Sequence, residues 1–193
     1  MPEAALSQAS RAALATIARQ AVVAATRGER YAPPRELLVG RLAEPGASFV
    51  TLRAAGELRG CIGSIEARRA LGVDVAENAR AAALEDRRFE PVAAYELARL
   101  AIELSLLTPP EPFPVGSRAE LLAALVPDVD GLVLEEHGRR VTFLPSVWEQ
   151  LPDPESFLVH LERKAGLGAG SWSPERRFFR YRAESIDVGP VLV

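Results

Sequence analysis

The sequence predicts an α+β fold, a mainly antiparallel sheet flanked by helices. Three patterns carry that prediction. Leu100, Ile102, Leu104 and Leu106 alternate with Ala101, Glu103 and Ser105, the period-two signature of a strand with one buried face. Two short turn signals, Ala54-Ala55-Gly56-Glu57 and His137-Gly138, each sit between strand-like runs and so mark hairpins. Long helical stretches are interleaved with these hairpins but rarely form strand–helix–strand repeats, which argues against a parallel sheet.

From the N-terminus, Ser7 or Ser10 can cap a helix in which Leu14, Ile17, Ala18, Ala21, Val22 and Ala25 share a face, and Gly28 stands where a terminating glycine belongs. Tyr31 to Pro45 is a connector broken by Pro33-Pro34. The runs 48–52 and 58–62 form the first hairpin, and 69–85 reads as a second helix with Leu71, Val75, Ala79, Ala82 and Ala83 buried. Pro91 prevents its continuation, and the proline-rich segment 108–114 is expected to leave the sheet unpaired. Ser117 with Glu120, and Ser146 with Glu149, have capping-box spacing. Asp153-Pro154 opens a last helix, its core stripe being Phe157, Leu158, Leu161 and Ala165, and Gly166 closes it. The alternation over 177–186 predicts one further strand with a basic face.

Composition narrows the function. The chain has 193 residues, a formal net charge of -3 and a single cysteine, Cys61. One cysteine rules out a disulfide framework, the N-terminus lacks signal-peptide features, and no apolar run is long enough to cross a bilayer, so a cytoplasmic, single-domain protein spanning 1–193 is expected. The acidic balance gives no pull toward nucleic acid, and the group Arg176, Arg177, Arg180 and Arg182 lacks an interleaved aromatic platform. Phosphate-binding loops, zinc-ligand spacings and nucleophile elbows are absent, so no metal or cofactor is expected.

What remains is a constellation of chemistry around Cys61. It lies between Gly60 and Gly63, two residues after Arg59, so that Arg59 and Cys61 are expected on one face of a strand. The glycines mark close backbone approach or φ > 0. Arg59 and freed backbone N–H groups are the means to favour a thiolate, with His160 the candidate base and His137 assigned to a turn. Against this stands the ordinary tendency of free cysteine to pack as a small apolar residue. Of 23 basic residues, 22 are arginine, and the sole lysine is Lys164. Retaining lysine suits a compact point charge rather than a planar fork. Asp86, Arg87 and Arg88 at a helix end offer an anion contact or simply a solvated terminus, and Trp148 and Trp172 are pocket walls or core anchors.

Leu58-Arg59-Gly60-Cys61-Ile62-Gly63 resembles the signature hexapeptide of the AMMECR domain family. Further blocks agree in order: Asp86-Arg87-Arg88-Phe89, Ile102 to Leu107, Thr142-Phe143-Leu144-Pro145 with Val147-Trp148, and Lys164-Ala165-Gly166-Leu167 followed by Trp172. The resemblance covers nearly the whole chain. It implies a larger and a smaller lobe, and it places Arg59, Gly60, Cys61, Gly63, Asp86, Arg88, Phe89 and Lys164 in family motifs. Ser64-Ile65 and Glu162 depart from it, the latter standing where a cysteine is frequent, so that second cysteine is no required partner of Cys61. It also implies association with a Memo-like protein and a radical-SAM protein, without naming a reaction. Two functions follow as expectations. One is a ligand-binding or catalytic pocket for a small or peptide-like anionic substrate, with Cys61 and Lys164 catalytic and Arg59, Gly60, Gly63, Asp86 and Arg88 binding. The other is a noncatalytic adaptor for a protein partner; RNA binding ranks third, and no membrane role is expected.

Overall fold

A computed structural model describes residues 6–191 and contains two compact units. The first comprises the described residues 6–107 and 184–191, the second 108–183. The fold class is α+β, as the alternation and hairpin signals predict.

In the first unit, α1 (Gln8–Thr26) begins at Ser7, whose hydroxyl accepts the Ser10 N–H at 3.1 Å. It buries the six residues expected from their spacing. It ends in a paired closure, Glu29 N–H to the Ala24 carbonyl and Gly28 N–H to Ala25, each at 3.0 Å, which satisfies carbonyls that a helix end leaves free. Strands β1 (Pro45–Ala54) and β2 (Glu57–Gly63) form the first hairpin, turning through Ala55 and Gly56 at φ 51 and 87°. A short β3 (Arg69–Ala70) pairs with the start of β1. Helix α2 (Leu71–Leu84) follows, then β4 (Leu100–Leu107).

The sheet order β2-β1-β4 is completed by a strand from the end of the chain. Val50, Leu52, Ile102 and Leu104 face α1 and α2 in one core; β2 is the outer strand, and among the described residues no other strand pairs with its far edge. Two polar residues of α2 are also buried. Asp74 accepts from Ser48 (2.6 Å), Ser64 (2.7 Å), Arg69 (2.9 Å) and Asn78 (2.8 Å), so its carboxylate is fully partnered.

The second unit packs α3 (Arg118–Ala124) and α4 (Pro154–Lys164) against a small sheet. Its strands are β5 (Glu111–Pro112), β6 (Gly131–Glu136), β7 (Arg139–Phe143) and β8 (Arg177–Tyr181), in the order β5-β8-β6-β7. Trp148 lies in the core, stacked on Phe157 with centroids 3.8 Å apart, and donates its indole N–H to the Asp130 carbonyl at 2.7 Å. It is an anchor, not a pocket wall.

Four local expectations are corrected. The proline-rich segment does pair: Glu111 and Pro112 lie against Arg180 and Phe179, because an edge strand tolerates a missing donor. Ser146 caps nothing; the short 3-10 turn Pro145–Glu149 starts at Leu144 without a side-chain cap. Ser117 does cap α3, but Glu120 reaches back to the Gly116 N–H at 2.8 Å rather than to its capping partner. The alternating run 177–186 is two strands: β8 ends at Tyr181, and β9 (Ala183–Pro190) completes the first unit's sheet beside β4. A continuous period of two cannot reveal that the chain changes sheets.

Gly60 and Gly63 are close-approach glycines, and neither has a positive φ. A Cβ on Gly60 would stand 2.2 Å from the Ala82 carbonyl oxygen of α2, and one on Gly63 would meet the Phe49 ring at the same distance. The neighbour of Gly60 is backbone and cannot swing aside. Gly60→Ala is therefore expected to lower unfolding stability by about 3 kcal/mol, the upper range for inserting a methyl into a full space. Urea denaturation of the purified variant measures it, and a loss below about 0.5 kcal/mol, typical of an uncrowded surface site, would contradict this crowding.

Candidate functional site

The unpaired edge of β2 at Cys61 is where the first unit's sequence blocks converge. Register places Cys61 opposite Thr51, between Gly60 opposite Leu52 and Ile62 opposite Val50. Leu52 and Val50 face the helices, so Cys61 and Thr51 lie on the other face of the sheet. Ser64 N–H bonds Ser48, and counting by twos from that pair turns the Cys61 N–H and carbonyl outward, away from β1. An edge of this kind leaves backbone groups in want of partners.

Asp86 and Arg88 supply them. The Cys61 N–H donates to Asp86 Oδ2 at 2.8 Å, and Arg88 Nη2 donates to the Cys61 carbonyl at 3.4 Å. The two side chains are themselves joined, Arg88 Nε to Asp86 Oδ1 at 2.9 Å and Nη2 to Oδ2 at 2.7 Å. Acid and base thus present to the strand the acceptor and donor that a neighbouring strand would have provided. The Asp86 side chain is 6% exposed and that of Arg88 57%, so the negative charge lies beneath and the positive charge outward. Hydrogen bonds from Arg88 and from the Cys61 and Arg88 N–H groups outweigh burial and lower the Asp86 pKa to about 2.

Arg59 occupies a different place from the one its spacing suggests. Leu52 pairs with Gly60 but Arg53 pairs with Leu58, so Arg59 is the extra residue of a β-bulge and the alternation with Cys61 is interrupted. The bulge aims its guanidinium at Glu96, Nε to Oε2 at 2.8 Å and Nη2 to Oε1 at 3.0 Å. The pairing raises the Arg59 pKa and lowers that of Glu96, and Glu96 also accepts the Ala93 N–H at 2.9 Å. Phe89 lies between the two arginines, with Arg59 5.9 Å and Arg88 5.5 Å from its ring centroid. Cys61 is half-buried and its sulfur accepts from the Thr51 hydroxyl at 3.4 Å.

Of the residues singled out from sequence, Arg59, Gly60, Cys61, Gly63, Asp86 and Arg88 therefore belong to one unit, the arginines, Asp86 and Cys61 forming a connected cluster. Lys164 belongs to the second unit. It closes α4, donates to the Thr142 carbonyl at 3.0 Å and lies 5.2 Å from the Phe143 centroid. His160 is exposed, with Nδ1 2.8 Å from the Ser156 carbonyl oxygen, and His137 is in the β6–β7 turn at φ 50°. Glu96 is a partner that the sequence does not announce. Glu96 lies in a 3-10 turn (Ala94–Arg99) with no motif around it, and only a bulge could have pointed Arg59 toward it.

Among the described residues, no three His, Cys, Asp or Glu side chains group as a metal would need, and no helix is long and apolar enough to cross a membrane.

The fold and this cluster define a class, a two-unit α+β protein in which a carboxylate–arginine pair clamps a glycine-flanked cysteine. The sequence pattern of the AMMECR1 family matches residues 15–186, and the chain belongs to that family. A protein of Methanothermobacter thermautotrophicus is 37% identical over 186 residues, covering 95% of this chain and 97% of its own. Another, of Thermococcus gammatolerans, is 37% identical over 191 residues, covering 92% of each chain. Among solved structures, an uncharacterized protein of Pyrococcus horikoshii superposes with a TM-score of 0.83 at 31% identity, over 89% of this chain and 88% of that one.

The depressed Asp86 pKa has a pH signature. In the unfolded chain the carboxyl titrates near 3.8 and in the folded protein near 2, so its contribution to stability, about 2 kcal/mol, is fully present above pH 4 or so. It disappears as pH falls through 2. Asp86→Asn should thus cost about 2 kcal/mol at pH 6 and little at pH 2. Urea unfolding at both pH values tests this; a gap of the same size at both would show that the charge is not what holds the clamp.

Proposed function

We propose that the Arg59–Cys61–Arg88 cluster recognises a small or peptide-like anionic ligand. The observation that carries this reading is the fixed posture of the two guanidinium groups. Each is held by a carboxylate through Nε and Nη2, beside a shared phenylalanine ring. A guanidinium has five N–H donors, so this mode of anchoring leaves the Nη1 edge for a further acceptor. Arginines already ordered lose little freedom on binding, which favours affinity. In Arg88 the neutralising carboxylate is underneath and the cation faces outward.

In this reading Arg59 and Arg88 contact the anion, Gly60 and Gly63 let the strand lie close enough to its neighbours, Asp86 orients both Arg88 and the Cys61 backbone, and Cys61 is a ligand contact. The hydrogen-bonding partner of the thiol is a hydroxyl donor rather than a base. Recognition is therefore better supported than attack by the sulfur. Lys164 is proposed separately as a cationic contact of the second unit, tested by Lys164→Met.

Calorimetric titration with inorganic phosphate and with an acetylated Asp-Glu dipeptide is the test. Arg88→Ala should weaken the better probe about tenfold, the effect of removing a charged hydrogen bond, and carbamidomethylation of Cys61 should block it. Equal binding by wild type, Arg88→Ala and the alkylated protein would overturn the reading.

A second reading has its own observation. Tyr95, next in sequence to Glu96 and among the groups acting on Arg59, is 85% exposed, and Leu58, next in sequence to Arg59, is 36% exposed. Tyr and Arg are enriched where protein partners dock. An adaptor role, with a Memo-like or radical-SAM protein as partner, predicts a stoichiometric complex from native lysate that survives Cys61→Ser and is lost in Tyr95→Ala. A complex indifferent to Tyr95→Ala would remove this reading.

A further inference from the structure

The face of the first unit's sheet that turns away from α1 and α2 carries a second polar constellation, separate from the clamp on Cys61. Ile186 and Val188 of β9 are buried in the helix-covered core, so Ser185 and Asp187 project from the opposite face. The same parity applies to Arg53 on β1 and to Ala101 and Glu103 on β4. Arg53 pairs across strands with Ala101, and Thr51, the partner of Cys61, pairs with Glu103. Arg53, Ala101, Ile102, Glu103, Ser185 and Asp187 line a depression of about 470 Å³. That volume lies within the common range of small-ligand sites, roughly 300–1,000 Å³.

The arginine in this depression is held quite differently from Arg59 and Arg88. Arg53 Nε is 3.6 Å from Glu103 Oε2, too far for a hydrogen bond, and Nη1 reaches the Gly56 carbonyl at 3.4 Å. A well-made guanidinium–carboxylate contact is about 2.7–2.9 Å. Both members of the pair keep substantial exposure, 46% for Arg53 and 35% for Glu103. Asp187 adds a second carboxylate, engaged by the Gly189 N–H at 2.9 Å through Oδ1. One cation and two anions therefore line the space, and the one ion pair there is loose.

We propose that this depression binds a zwitterion of α-amino-acid or dipeptide type. Its carboxylate takes the guanidinium of Arg53, and its ammonium sits against Glu103 and Asp187, with the Ser185 hydroxyl as a further hydrogen-bonding group. The ligand replaces one loose ion pair by two close ones, and the extra negative charge of the lining selects a molecule with an ammonium over a simple anion. Arg59 and Arg88 are arranged differently, each closely paired with its own carboxylate through Nε and Nη2 and left with the Nη1 edge, so the two sites differ in ligand class.

Glycylglycine is the probe, followed by amide NMR titration of the intact protein. Shifts should concentrate at Arg53, Ala101, Glu103, Ser185 and Asp187. N-acetylglycine, which lacks the ammonium, and glycinamide, which lacks the carboxylate, should each bind about tenfold more weakly, the scale of one charged hydrogen bond. Arg53→Gln and Glu103→Gln should each reproduce that loss, whereas Arg163→Gln, an exposed position of the second unit, should leave glycylglycine binding unchanged. These are surface substitutions, and unchanged spectra elsewhere establish that the variants are folded. Absence of saturable shifts, shifts elsewhere on the protein, or equal binding of the three probes would overturn the proposal without touching the reading of the Arg88 cluster.

Discussion

The approach of β2 to α2 at Gly60 is the constraint on which the rest of the site depends. The strand lies so near the helix that the Ala82 carbonyl fills the space a side chain would need. With β2 held there, the residues just past the end of α2 are brought level with the next residue of the strand, Cys61. Asp86 is then in reach of the Cys61 N–H, and Arg88 of its carbonyl. A side chain at position 60 would push strand from helix and separate these partners. The alanines of α2 belong to the same arrangement, since Ala79, Ala82 and Ala83 are fully enclosed against the sheet.

The clamp solves a general difficulty of edge strands, whose outward N–H and carbonyl groups need partners or attract other strands. A buried carboxylate and an exposed guanidinium do this while leaving a positive charge at the surface. Arg59 is set by a different device, a bulge that aims it at Glu96. Both cations are thereby ordered against one phenylalanine. The cluster is ordered and charged outward at Arg88, and the proposed recognition of an anion rests on that arrangement.

The second unit shows a parallel economy of buried charge. Arg176 is 1% exposed and bonds Glu136 at 2.6 Å and Glu162 at 2.7 Å, and Glu162, wholly buried, also accepts from Arg118 at 2.6 Å and from the Gly170 N–H at 2.9 Å. Every charge in it is partnered, so removing one would strand another. Glu162 follows Leu161 on α4 and is buried with it. Its partners are 14, 44 and 8 residues away. Nothing local announces them.

Most elements were legible because each depends on nearby residues. The face of α1 follows from spacing alone, the start of α4 from Asp153-Pro154, the end of α4 from Gly166, and β4 from strict alternation. The cysteine motif was legible as a hairpin strand for the same reason, whereas the choice between close approach and a positive φ at its glycines came from the packing. The sequence did not disclose the bulge at Arg59, the partnership with Glu96, the outward turn of the Cys61 backbone, or the division of 177–186 between two sheets. Those depend on register and on contacts between residues 25 to 37 positions apart or more. Local propensity and periodicity act over a few residues and so belong to the sequence. Which hydrogen-bonding groups at a strand's edge remain to be satisfied, and by whom, was decided only when the chain packed.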